Sequence, residues 1–181
     1  MSRTIPRRRK TRTYERKQKQ KRRKTHRKMR GGNSSTILQI QYNNTTINGQ
    51  YLTKEETSSP PKITININLS ATYTLVMYDP DAPHQPSYLH WIKTDITSIN
   101  KNGIDIVEYS GPSPPPNTGR LNTETGKKYH EYIFILIKHI NKNKNIVPPQ
   151  ERTNFKINDF IRMYEGEEVA RVLFRVMTLI C

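Results

Sequence analysis

Tyr73-Thr74-Leu75-Val76-Met77-Tyr78-Asp79-Pro80-Asp81-Ala82-Pro83, followed by Tyr88-Leu89-His90-Trp91, decides the reading of this chain. Tyr73 to Tyr78 is a near-continuous apolar run, which predicts a central strand buried on both faces. Two prolines within the next five residues cannot continue a hydrogen-bonded ladder, so the chain must leave the sheet at Asp79. Leu89 to Ile96 predicts the returning strand, carrying a histidine beside a tryptophan. Prolines restrict the backbone before folding as well as after it. Such a loop can therefore hold Asp79 and Asp81 in set positions next to His90 and an apolar wall, the composition of a small polar pocket.

Outward from this stretch the pattern stays mostly β. Residues 37–42 suit a first strand, residues 47–50 a turn and residues 58–61 a loop. Ile63, Ile65, Ile67 and Leu69 alternate with polar residues, the period of a strand with one buried face. Residues 104–109 and 132–137 predict further strands, and the four prolines between Gly111 and Gly119 predict an irregular loop. Residues 121–128 read as polar and mobile, and residues 141–149 as exposed. One short helix is expected, capped by Asn158, favoured by Asp159 at its positive end and stopped by Gly166. Val169 to Leu179 suits a last strand, although residues 167–177 also fit a helix. Six to eight strands with one or two short helices predict a mainly β, two-sheet antiparallel sandwich.

The charge is unevenly placed. The net charge is +16, and residues 1–30 supply +15 of it through 16 Lys or Arg against the single acid Glu15. The rest of the chain is nearly neutral. Apart from the first residue, only Ile5, Tyr14 and Met29 are large apolar groups in that stretch, too few to offset the entropy of ordering it. The expectation is a disordered basic tail and linker over 1–35 and one domain over 36–181. The tail, including Arg7, Arg8, Arg9, Lys10, Lys21, Arg22, Arg23 and Lys24, is either a solvated charge run or a salt-sensitive, sequence-blind site for nucleic acid or acidic lipid. Lys21 to Lys24 also fits a nuclear-import patch. The single cysteine, Cys181, allows no intrachain disulfide and has no activating neighbour in sequence. No apolar run reaches the ~18 residues of a membrane span. An intracellular protein, cytoplasmic or nuclear, is expected. The abundance of Asn, Ile and Lys with a basic arm also fits proteins of large DNA viruses, which would allow a virion location.

The central stretch is similar to the core motif of the phosphatidylethanolamine-binding protein family, and Tyr88 to Ile96 is similar to its plant flowering-regulator branch. Tyr109-Ser110-Gly111-Pro112-Ser113-Pro114 and His130-Glu131-Tyr132-Ile133-Phe134-Ile135-Leu136 resemble the family's Gly-Pro loop and the strand after it. Arg152-Thr153-Asn154-Phe155, leading to Phe160 and residues 169–172, is a third, weaker match. The resemblance covers roughly residues 37–180. It implies a non-enzymatic domain that binds a phosphate-containing small ligand or phospholipid head group and regulates a protein partner such as a kinase or protease. It implies a ligand site built from Asp79, Asp81, Pro83, His90, Trp91, Gly111, Pro112, His130 and Tyr132, with no metal and no cofactor.

In that picture the two histidines, from neighbouring strands, donate to a phosphate oxygen, and Asp79 stands behind His90 to fix its tautomer. Three departures stand out. Ten residues separate Gly119 from His130 where the family has about one, so Gly126 is the alternative equivalent of the loop glycine. Glu131 replaces a usual arginine. The chain ends just after its last strand, so the C-terminal helix of animal members is not expected.

Bland alternatives stay open for each group. Asp79, Asp81 and His90 are residue types that serve acid–base catalysis or metal binding, but no serine or cysteine nucleophile lies near the histidines in sequence. No ligand pair has close helical or loop spacing. A buried polar cluster can also be purely structural. His26, His84 and His139 read as solvated, and Trp91 is more often core packing than a ligand platform. If the tail rather than the domain did the work, the protein would be a polyanion-binding structural protein.

Overall fold

The computed structural model describes residues 37–66, 70–83, 87–140 and 145–179. The basic tail, His26, His84 and Cys181 lie outside the described residues. Two sheets are built from the apolar runs. The small one has the order β2-β1-β4, with β1 at Leu38–Tyr42, β2 at Thr45–Thr46 and β4 at Lys62–Ile65. The large one runs β3-β10-β9-β5-β6-β7, with β8 paired to β9. Its strands are β3 (Tyr51–Leu52), β5 (Thr72–Asp79), β6 (Tyr88–Ile96), β7 (Ile104–Val107), β8 (Arg120–Leu121), β9 (Lys128–His139) and β10 (Gly166–Met177). All pairs are antiparallel except β3 with β10. Among the described residues a single short helix, α1 (Ile157–Met163), completes the mainly β sandwich.

The near-continuous apolar runs are explained by layers on both faces of the large sheet. On one face Tyr73, Leu75, Met77, Tyr132, Phe134 and Phe174 pack against Leu38, Ile40 and Tyr42 of the small sheet. On the other, Val76, Tyr78, Ile133, Ile135 and Ile137 pack under Phe155, Phe160 and Tyr164. A strand covered on both sides gains from apolar residues at every position, so alternation is lost.

Several expectations are corrected. Asn158 lies inside α1, which starts after Lys156 with no side-chain cap. Gly166 does not stop the helix but opens β10; the reversal falls on Glu165, which has a positive φ of 49°. Residues 166–177 are strand, because pairing along β9 satisfies their backbone and outweighs their helix-compatible composition. Residues 121–128 are not merely a loop. Arg120–Leu121 pairs with Lys128–Tyr129, and the Asn122 side chain accepts from the Glu124 and Thr125 amides in the turn. His139 is not solvated: it is 3% exposed, and its Nε2 lies 2.8 Å from the Thr74 hydroxyl.

Candidate functional site

The site lies where β5 ends and β6 and β9 begin. β5 runs between β6 and β9, so His90 and His130 are not on adjacent strands as the sequence reading expects. The strand between them delivers Asp79 into the gap. A register shift contributes on the other side. Met77 pairs with Trp91 and Tyr78 with Leu89, which leaves His90 as the extra residue of a β-bulge. The bulge lets Trp91 join the small-sheet core while Leu89 joins the opposite one. It also sets the His90 ring edge-on to Tyr132, with centroids 5.1 Å apart.

Each acid of Asp-Pro-Asp has its own task. Asp79 is 4% exposed. Its Oδ1 accepts from the Asp81 amide at 2.7 Å, which closes the turn, and its Oδ2 accepts from His130 Nδ1 at 2.7 Å. The histidine hydrogen-bonded to Asp79 is therefore His130 and not His90, because residue 130 lies on the strand that β5 pairs with on that side. Asp81 reaches around the sheet end, where its Oδ2 accepts from the Glu131 amide at 2.9 Å and its Oδ1 from Arg120 Nε at 2.9 Å.

His130 is fully buried, and its Nε2 lies 2.9 Å from Thr118 Oγ1. The order threonine, histidine, aspartate has the outline of a nucleophile with its base and orienting acid. The proton accounting differs. The Thr118 hydroxyl donates to the Pro115 carbonyl at 2.6 Å as well as meeting His130. Both His130 nitrogens are thus spent on holding the 111–119 loop to β5 and β9, and neither is presented to a ligand.

His90 is held differently. Its Nδ1 donates to the Ser110 carbonyl at 2.7 Å, while the Ser110 amide donates back to the His90 carbonyl at 2.9 Å. Burial holds the ring below the ordinary histidine range. The Ser110 contact and Asp79 oppose that shift, and Arg152 and His130 add to it. Arg152 acts as a nearby positive charge, held in place by donating to the His90 and Glu108 carbonyls at 3.0 and 2.8 Å. Burial above all, then Asp79 and Asp81, push the Tyr132 phenol upward, and the nearby Ser113 backbone opposes that shift.

Trp91 is 3% exposed; its indole N–H donates to Asp105 at 2.8 Å and its ring meets Tyr109. Tyr109 in turn donates to the Thr57 carbonyl at 2.6 Å, fixing the entry to the 111–119 loop. Gly111 lies against the Thr57–Ser58 backbone, Pro112 is buried, and Pro83 is half-buried beyond Asp81. Among the described residues no group of three or more His, Cys, Asp or Glu is placed to hold a metal ion. No helix among them is long and apolar enough to cross a membrane.

The chain matches the phosphatidylethanolamine-binding protein family over residues 39–177. It belongs to that family. It is 32% identical over 152 residues to Protein FLOWERING LOCUS T of Arabidopsis thaliana, covering 78% of this chain and 80% of the relative. Its fold resembles that of a carboxypeptidase Y inhibitor solved in complex with its cognate proteinase. That likeness has a TM-score of 0.65 at 20% identity and covers 78% of this chain and 83% of the inhibitor. A phosphatidylethanolamine-binding protein from Plasmodium vivax gives a TM-score of 0.63 at 24% identity, covering 78% and 84%. At these identities the two structures speak for the fold alone.

In this phosphatidylethanolamine-binding protein family member the loop glycine is settled by space rather than by spacing. A Cβ on Gly119, at φ +85°, would overlap the Tyr129 carbonyl and the His130 ring. Gly126, at φ +69°, has open space around it and belongs to the β8–β9 turn. Residues 120–129 thus belong to the β8–β9 hairpin that follows the packing glycine. Gly119→Ala should cost about 2 kcal/mol or more, from the positive φ plus overpacking, whereas Gly126→Ala should cost about 1 kcal/mol from φ alone. Urea unfolding of the two variants checks this, and equal losses would refute the assignment.

Glu131 is buried and held by Arg120 at 2.5 Å and Arg175 at 3.0 Å. Sequence reasoning missed Arg120, Arg175, Ser110, Ser113 and Thr118. Of these, only Thr118 had a local sign, standing beside the glycine that packs on His130.

Proposed function

We propose that the chain binds a phosphate-bearing small ligand at the end of β5, β6 and β9, without turnover, and acts as a regulatory module. The observation that carries this reading is His90. The residue is 5% exposed, its Nδ1 is fixed on Ser110, and its Nε2 meets no partner among the described residues. Because no buried side-chain polar atom among the described residues lacks a partner, Nε2 opens onto accessible space. Asp79, Asp81, His130, Gly111 and Pro112 position the walls in this reading, Pro83 and Trp91 support them, and Tyr132 and His90 contact the ligand.

Family membership supports a non-enzymatic role, and the use of the Thr118 proton on Pro115 argues against a nucleophile there. A protein partner such as a protease or kinase is part of the same proposal. Side-chain ¹⁵N NMR of the full chain, titrated with inorganic phosphate and with phosphoethanolamine, tests the site. The His90 Nε2 resonance should move most and that of His130 little. A His90 resonance unmoved at millimolar ligand would remove the proposal.

A further inference from the structure

The hydrogen bonds around His90 fix more than its position. A carbonyl oxygen only accepts, so the 2.7 Å contact with Ser110 places the ring proton on Nδ1. The Ser110 amide is tied to the His90 carbonyl as well, so turning the ring to exchange its nitrogens would orphan a carbonyl already held in register. Burial disfavours a second proton on this ring, so Nε2 carries a lone pair into the site. The neighbouring Tyr132 has the opposite character. Its ring meets His90 edge-on at 5.1 Å, and burial with Asp79 and Asp81 nearby keeps its phenol proton in place, so the hydroxyl is available as a donor.

Among the described residues, the other charged and titratable groups around His90 are Asp79 on β5, His130 on β9, Tyr88 on β6 and Arg152. Asp79 and His130 are bound to each other, and Arg152 is bound to backbone carbonyls. None of these hydrogen bonds supplies Nε2 with a proton.

An acceptor beside a permanent donor suits one form of phosphate better than another. A phosphodiester offers only acceptor oxygens, so one of them would face the Nε2 lone pair. A singly protonated phosphomonoester offers a P–OH and free oxygens together. Resting on the phosphate-binding reading above, we infer that the site selects terminal phosphomonoesters over phosphodiesters, with the P–OH donating to His90 Nε2 and the Tyr132 hydroxyl donating to a second oxygen.

The proton balance follows. The complex holds one proton between Nε2 and the phosphate oxygen. A phosphomonoester loses its second proton near pH ~6. Above that pH the free ligand is a dianion and binding must take up a proton, so affinity falls about tenfold per pH unit. A diester has no such proton to share and must protonate a ring whose burial disfavours the charge.

The test uses the full chain at near-physiological salt, with binding read at the His90 resonance and proton uptake by calorimetry in two buffers of different ionisation enthalpy. Methyl phosphate should bind about tenfold or more tighter than dimethyl phosphate at pH 7.5, with uptake approaching one proton per ligand. His90→Gln should abolish the uptake. Equal affinities, or methyl phosphate binding without uptake, would overturn this selectivity while leaving phosphate binding in place. A His90 resonance moved by neither ester would overturn both. Phosphoethanolamine and a soluble short-chain phosphatidic acid then separate a free phosphomonoester from one carried on a lipid. Whichever shows the proton linkage is the source, and linkage with neither overturns the inference.

Discussion

His130→Ala should destabilise the domain by about 3–5 kcal/mol. The alanine leaves the Asp79 carboxylate buried with only the Asp81 amide on its other oxygen, and removes the Thr118 contact that ties the 111–119 loop to β9. A buried charge stripped of its partner costs far more than the pair contributes, because the desolvation remains while the compensation is gone. The same logic makes the variant pair strongly non-additive. Once Asp79→Asn has removed the charge, deleting His130 should cost much less, so a double-mutant cycle in urea should give a coupling of about 1–3 kcal/mol. Additive losses, or a His130→Ala variant within about 1 kcal/mol of the parent, would show that the pair does not hold the loop.

Glu131→Arg should be nearly as damaging. Glu131 has a side-chain exposure of 9% and sits between Arg120 and Arg175, whose side chains are 45% and 30% exposed. Solvent screening limits each of these half-exposed bridges to about 1 kcal/mol at most. The larger part of the loss comes from putting a third guanidinium into a buried position beside two others, with no carboxylate left but Asp81. A total of about 3 kcal/mol or more is expected, seen as a lowered urea midpoint. Arg175→Glu in the same chain should recover part of it by reversing one bridge. A Glu131→Arg variant of parental stability would mean that the network is decorative.

These two positions mark the boundary of what could be read from residues alone. The apolar runs at 73–78 and 132–137 announced central strands, because burial on both faces selects apolar residues at every position. The Asp-Pro-Asp-Ala-Pro turn announced the end of β5, because proline cannot continue a ladder. The identity of the partner of Asp79 was not legible. It depends on β9, rather than β6, lying on the side of β5 toward which Asp79 turns, and strand order is a property of the whole sheet. Glu131 is a similar case: its arginines come from positions 11 and 44 residues away in sequence. The burial of His139 follows from Thr74 across a strand pair, which no local pattern encodes.

Local chemistry therefore determined the strands, the bend after Tyr78 and the residue types gathered near it. Periodicity and proline act within a few residues and leave their mark directly in the chain. Only the tertiary structure decided which histidine is spent on holding the loop and which keeps a free nitrogen. That choice is made by hydrogen bonds to Ser110, Thr118 and Asp79, which meet only after sheet order and a one-residue bulge have set their register.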